Sequence, residues 1–252
     1  MVNLGNLLHL NLFGYAHWFM SIRISQTKDH YISLDQAKYA TSIVAKYLDT
    51  DKVKTSTIFY KTTMPSDMIF TKDDASTSDN QVKKLTREFN IHYICFIILL
   101  IYLLSKRVDM SFAVYKLAKF SSNPGKLFFE GMVHVLRYIR DNRTLGLSYY
   151  YDMEDAMLSD LLKQVNIKTK NQVLAFSHYI WKYFPDTGRS TGSCTIFYQG
   201  GPIDHGTHIP VPVSKSSAES EYNAACTAGM DLAHFRMLIH GMLNKDSDIV
   251  PE

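Results

Sequence analysis

The stretch VLAFSHYIWKYFPDTGRSTGSCTIFYQGG, Val173–Gly201, decides the fold. Two runs rich in aromatic and β-branched residues flank PDTG, in which proline, aspartate and glycine each favour a turn for a different backbone reason. Val173–Trp181 and Gly192–Tyr198 therefore read as strands, with Asp186 as a turn residue, and QGG turns the chain into a third strand over about Pro202–Ile209. Asp204 sits beside that turn. A long helix then begins near Ser216. Ser216 and Glu219 have capping-box spacing, and Tyr222, Ala225, Cys226, Gly229, Leu232, Ala233 and Ile239 recur at helical period. Three hairpin-linked strands followed by a helix point to an α+β or α/β unit.

Upstream the pattern changes. HWFMSIRIS alternates, which places Trp18, Met20, Ile22 and Ile24 on one face of a strand. HYISLDQAKYATSIVAKYL reads as a short strand and a helix, with Ser33 and Gln36 at capping-box spacing. Residues 49–80 are polar and read as an irregular connector, and KDD at Lys72–Asp74 as a solvated charge cluster. From Gln81 to about Ser122 the period is helical, and NPG at 123–125 stops it. A further helix over Lys126 to about Arg140 has an apolar face of Val135, Leu136 and Ile139. TLGLSYYY reads as a strand, and the polar stretch after it as a boundary.

The chain has 252 residues, enough for one large domain or two small ones. Apolar residues are 46% and charged residues 20%, which places the chain in the soluble globular class. The net charge of +3 is compatible with nucleic acid, although clustering matters more than the total. Cys95, Cys194 and Cys226 are odd in number and widely spaced, so a reducing, intracellular setting (cytoplasmic or nuclear) is expected. The N-terminus lacks a basic n-region and a cleavage site, so it does not read as a signal peptide. Tyr93–Leu104 is apolar for 12 residues, short of the roughly 20 that span a bilayer, so a buried core helix is expected and no membrane partner.

HWFMSIRIS…HYISLDQAKYATSIV, LLIYLLSKRVDMSFAVYKLAKFSSNPGK…VHVLRYIRDNRTLGLSYY and PDTGRSTGSCTIFYQGGPIDHGTHIPVPVSKSSAESEYNAACTAG together resemble the Pol polyprotein of copia-type long-terminal-repeat retrotransposons. The similarity covers nearly the whole chain, in order. It implies an α+β architecture. Residues 1–150 would be the C-terminal, thumb- and connection-like part of a reverse transcriptase, 151–171 a linker, and 172–252 a truncated RNase H-like domain with a mixed sheet and one long helix. On that reading the third strand is left as an exposed sheet edge, and marginal stability of the C-terminal part is expected.

The resemblance also assigns chemistry. The family's polymerase holds two metal ions on aspartates that include a Tyr-x-Asp-Asp pair, and this sequence has none. RNase H chemistry uses two Mg²⁺ ions about 3.5–4 Å apart, held by carboxylates around the scissile phosphate. The first-strand aspartate of relatives aligns with His178 and the first-helix glutamate with Glu221; later acidic residues would fall beyond Glu252. Magnesium prefers oxygen ligands, so an imidazole at 178 is a poor replacement. A zinc set of His178, Cys194, His205 and His208 lacks the paired spacings of structural sites. The resemblance therefore implies a catalytically inactive fragment with Glu221 as a residual metal ligand. One alternative is a non-catalytic module binding RNA–DNA hybrid or duplex through Lys126, Arg137, Arg140 and Arg143. A second is a residual metal-dependent RNase H. The remainder of a Pol polyprotein would be a partner if the chain is part of a longer product. Relatives carry small residues where this chain has Ile98 and Leu99, and such enlargement in a packed core typically costs about 1–3 kcal/mol each.

Overall fold

The computed structural model describes residues 16–28, 31–48, 58–150, 173–184, 186–208 and 213–243. They form an α+β protein with two antiparallel sheets. The first sheet contains β1 (Trp18–Phe19), β2 (Ile22–Gln26), β3 (Ile32–Asp35) and β4 (Gly146–Tyr149), in that order across the sheet. Between β3 and β4 the described residues form five α-helices: α1 (Ala37–Leu48), α2 (Asp79–Phe89), α3 (Tyr93–Leu103), α4 (Ser111–Ala118) and α5 (Lys126–Asp141). The second sheet is a meander of β5 (Leu174–Phe184), β6 (Arg189–Tyr198) and β7 (Gly201–His208), covered by α6 (Ser217–Leu243). All pairs in this sheet are antiparallel, where the resemblance implies a mixed sheet.

Two early expectations are corrected. HWFMSIRIS is not one strand. Met20 and Ser21 have φ of 45° and 62°, and Phe19 pairs with Ile22, so the alternation is cut by a two-residue hairpin turn. Gln199 and Gly200, with φ of 50° and 73°, make the equivalent turn between β6 and β7. The start of α1 is not capped by Ser33, which lies in β3. Asp35 Oδ1 instead accepts from the Ala37 amide at 3.0 Å.

The helical half owns the larger core. Phe96, Leu100, Leu103, Met110, Leu117, Phe128, Phe129, Met132, Val135, Leu136 and Ile139 are each fully buried. The connector is part of this packing: Phe70 is buried, with Tyr60, Met64 and Met68 packed against the cluster. The charge cluster at 72–74 is a single 3₁₀ turn in which Asp74 accepts from the Thr71 amide and hydroxyl at 2.9 and 2.8 Å. Arg107 is buried and held by Asp109 at 2.8 and 2.9 Å and by the Asn142 carbonyl at 2.9 Å, while Tyr138 also donates to Asp109 at 2.7 Å.

The apolar helix α3 is buried along Tyr93, Phe96, Ile97, Leu100 and Leu103 only. Ile98 is 59% exposed, so the expected core overpacking at that position does not arise. Among the described residues no single helix is long and apolar enough to cross a membrane; α2 and α3 pass that test only as a pair bent by 63°.

The halves meet along a seam. The Lys72 amide donates to Asp186 Oδ2 at 2.9 Å, so Asp186 ties the PDTG turn to the first half as well as forming the turn. Tyr150 donates to the Gln199 carbonyl at 2.9 Å, and the Tyr149 hydroxyl to the Pro202 carbonyl at 2.8 Å. A Cβ on Gly201 would lie 2.4 Å from the Ser148 carbonyl oxygen, so only glycine permits this approach. The outer strand β7 thus lies against β4 and α4 and is not a fully open edge.

Candidate functional site

β5 and α6 form the site that the sequence singles out. β5 pairs with β6 over Leu174–Ile180, with Tyr179 opposite Gly192, and rejoins it at Phe184 after a register irregularity. A Cβ on Gly192 would meet the Tyr179 ring at 1.9 Å, so the ring covers the bare glycine backbone and is itself buried. Two bonds then fix the start of α6. Ser190 and Ser220 hydroxyls meet at 3.0 Å in the interior, and the Trp181 indole donates to the Ser214 carbonyl at 3.0 Å. Ser216 caps the helix as its spacing predicts: its hydroxyl accepts from the Glu219 amide at 3.1 Å. Glu219 reaches back to the Lys215 amide, at 2.7 Å, rather than to that of Ser216.

This frame brings His178 and Glu221 together. His178 Nδ1 lies 3.1 Å from Glu221 Oε1, with the side chains 70% and 47% exposed. The two aligned positions, 43 residues apart in sequence, are neighbours in space. The pair is open to solvent and sits at ion-pair distance. It does not fit the Mg²⁺ pair that the resemblance implies. One carboxylate is present, its partner is an imidazole, and that imidazole lies against one of the carboxylate oxygens.

No group of three or more His, Cys, Asp or Glu side chains that could hold a metal comes together among the described residues. In the zinc combination, Cys194 is buried, and burial, aided by Asp231 and Asp204, pushes its thiol upward, away from the thiolate a metal needs. His205 lies opposite Thr195 in the sheet, and burial lowers its pKa against the opposing pull of Asp204. The side chain of His208 lies outside the described residues.

The basic residues of α5 are occupied by the chain itself. Arg137 donates to the Tyr60 hydroxyl at 2.9 Å and stacks over that ring at 5.6 Å. Arg140 binds Asp141 at 2.7 and 3.0 Å and the Ile58 carbonyl at 3.3 Å. Asp141 in turn accepts from the Tyr60 amide at 2.8 Å. Burial works to raise the Asp141 carboxyl, but the Arg140 and Tyr60 hydrogen bonds and the charges of Arg140 and Arg143 bring it below its ordinary value. Arg143 donates to the Arg140 carbonyl at 2.9 Å, and the exposed Lys126 faces Glu130 at 3.8 Å. These groups strap residues 58–62 onto α5, helped by His134 against the Thr62 carbonyl at 3.0 Å. Tyr60 is the residue that sequence reading missed, because an aromatic inside a polar connector carries no periodic signal.

No protein-family model, curated protein or solved structure matches the chain.

Proposed function

We propose that the chain is a segment of a copia-type retrotransposon Pol polyprotein, with a reverse-transcriptase-derived first half and an RNase H-like second half that does not cleave nucleic acid. The observation that supports this reading is the contact at 3.1 Å between His178 and Glu221. A fold that juxtaposes a first-strand and a first-helix position is what metal-dependent hybrid cleavage requires, and here one of the two positions carries an imidazole in place of a carboxylate. The remaining carboxylate cannot bracket a phosphate with two metals. A labelled RNA–DNA hybrid incubated with the chain and Mg²⁺ or Mn²⁺ is expected to stay intact. Metal-dependent release that disappears in Glu221→Gln would overturn the reading.

A further inference from the structure

A cavity of about 230 Å³ lies at the seam between the two halves, where the turn after α3 meets β4 and β7. Lys106 lines it from the first half, and Asp204 and His205 line it from the second. Lys106 is half-buried and Asp204 is exposed. None of these three side chains makes an ion pair or hydrogen bond among the described residues. Two opposite charges therefore open onto one cavity without pairing with each other. Burial lowers the pKa of Lys106, and no acidic neighbour offsets it. Burial also lowers that of His205 against the pull of Asp204, so the imidazole is neutral near pH 7 and can donate or accept. The other polar groups of the wall donate elsewhere: the Tyr149 hydroxyl to the Pro202 carbonyl at 2.8 Å, and the Ser105 hydroxyl to Gln36 Oε1 at 3.3 Å. Val108, Leu147 and Ile203 add an apolar wall.

The strand is irregular at this point. β7 pairs Asp204 with Ile196 and Pro202 with Phe197, so Ile203 is one residue extra. Such a bulge breaks the alternation of a strand and is common beside binding sites. Here it lets four consecutive residues, 202–205, line the same cavity. A molecule enclosed there must satisfy a cation and an anion at once, while its remainder suits an apolar wall. We infer that the cavity binds an aliphatic α-amino acid, with its carboxylate against Lys106, its ammonium against Asp204 and its side chain along Val108, Leu147 and Ile203. The volume is below the roughly 300–1,000 Å³ of sites for drug-sized ligands, which suits so small a molecule. The inference does not rest on the retrotransposon reading.

The test is calorimetric titration of valine into the full chain, beside acetate and methylammonium, which carry one charge each. Valine is expected to bind, and each single-charge probe to bind about tenfold more weakly or less, because it forgoes one charge-assisted contact. Lys106→Met and Asp204→Asn should each weaken valine binding about tenfold or more. Lys126→Ala, an exposed cation outside the cavity, should leave it unchanged. Asp204 is exposed and unpaired, so Asp204→Asn should melt with the parent and decides the matter even if Lys106→Met folds poorly. Valine should also slow hydrogen exchange in β4 and β7 together, since the ligand touches both. Absence of valine binding at tens of millimolar overturns the proposal, as does undiminished affinity in Asp204→Asn. Acetate binding as tight as that of valine overturns the amino-acid assignment. Hybrid cleavage tests the proposed function separately.

Discussion

The two halves are held together by different means. In the first, aromatic and aliphatic side chains from α1, α3, α4 and α5 interlock. Phe120 stacks on Phe128 at 4.5 Å, and Phe89 on Phe129 at 5.3 Å. In the second, the buried cluster among the described residues is Cys194, Ile196 and Ala228, with Val173, Ala175, Ile203 and Phe235 beside it. Order there rests on the strand ladder, the Ser190–Ser220 contact and the cap at Ser216. Hydrophobic stabilisation scales with apolar area removed from water, so the first half carries most of it. A thin core can still hold a geometry through hydrogen bonds, but it has little reserve against a lost side chain.

The largest effect that would test this contrast is Phe128→Ala, expected to destabilise the first half by about 3–5 kcal/mol in denaturant titration. A loss below about 1 kcal/mol would mean that the aromatic cluster is not the main support. Ile196→Ala should cost about 2 kcal/mol, at the low end for such truncations because few neighbours surround it. Hydrogen exchange should then open β5–β7 while α3 and α5 stay protected; simultaneous opening of both would show a single cooperative unit. Ser190→Ala removes one of two partners of the Ser220 hydroxyl, which still donates to the Ser216 carbonyl at 3.2 Å, and should cost roughly 0.5–1.5 kcal/mol, read as earlier proteolysis of the second half. Ser216→Ala removes the cap, for about 1 kcal/mol, and Ser216→Asp should recover it.

The smallest effect concerns the seam. Lys116 is buried, donates to the Met68 carbonyl at 2.9 Å, and faces Phe70, Phe112 and Tyr183 at 5.0–5.5 Å. Burial lowers its pKa to about 8, below the ordinary lysine value. Between that pH and about 10 the unfolded chain holds more protons on this group than the folded one, so stability should rise with pH. Burial lowers Lys106 and Lys119 as well, which adds to the same slope. Above pH 10 the tyrosines reverse the trend. Tyr138 is raised to about 12 by burial and by its hydrogen bond to Asp109, so the folded state then holds the extra protons. Lys116→Met should reduce the rise between pH 8 and 10; an unchanged slope would assign it to other groups.

Local signals were readable from the sequence and long-range ones were not. The PDTG and QGG turns, the three strands of the second sheet, the Ser216 cap and the buried face of α5 follow from turn chemistry and period alone, since each depends on residues a few positions apart. The hairpin at Met20–Ser21 was missed because neither residue is a glycine, and both take positive φ all the same. The exposure of Ile98 was missed because an all-apolar helix has no polar face to say which side is outside. For the candidate site, Glu221 and His178 were legible as positions, and their contact depends on how α6 crosses β5. The commitment of Arg137 and Arg140 to residues 58–60 was invisible, because charge along a helix does not disclose its partner.

The pairing of β3 with β4 has a consequence for how the protein forms. Ile32 lies opposite Tyr149, so this sheet closes only after the intervening helices have been made and brought together. Non-local pairing of this kind slows folding, because the loop entropy is lost before the strands gain their contacts. The β5–β6–β7 meander needs only neighbours joined by tight turns. On a ribosome β1, β2 and β3 would emerge early and wait with the outer edge of β3 unpaired until β4 arrives. Slow elongation between residues 36 and 145 would lengthen that wait, and with it the period in which the edge of β3 can pair with another nascent chain.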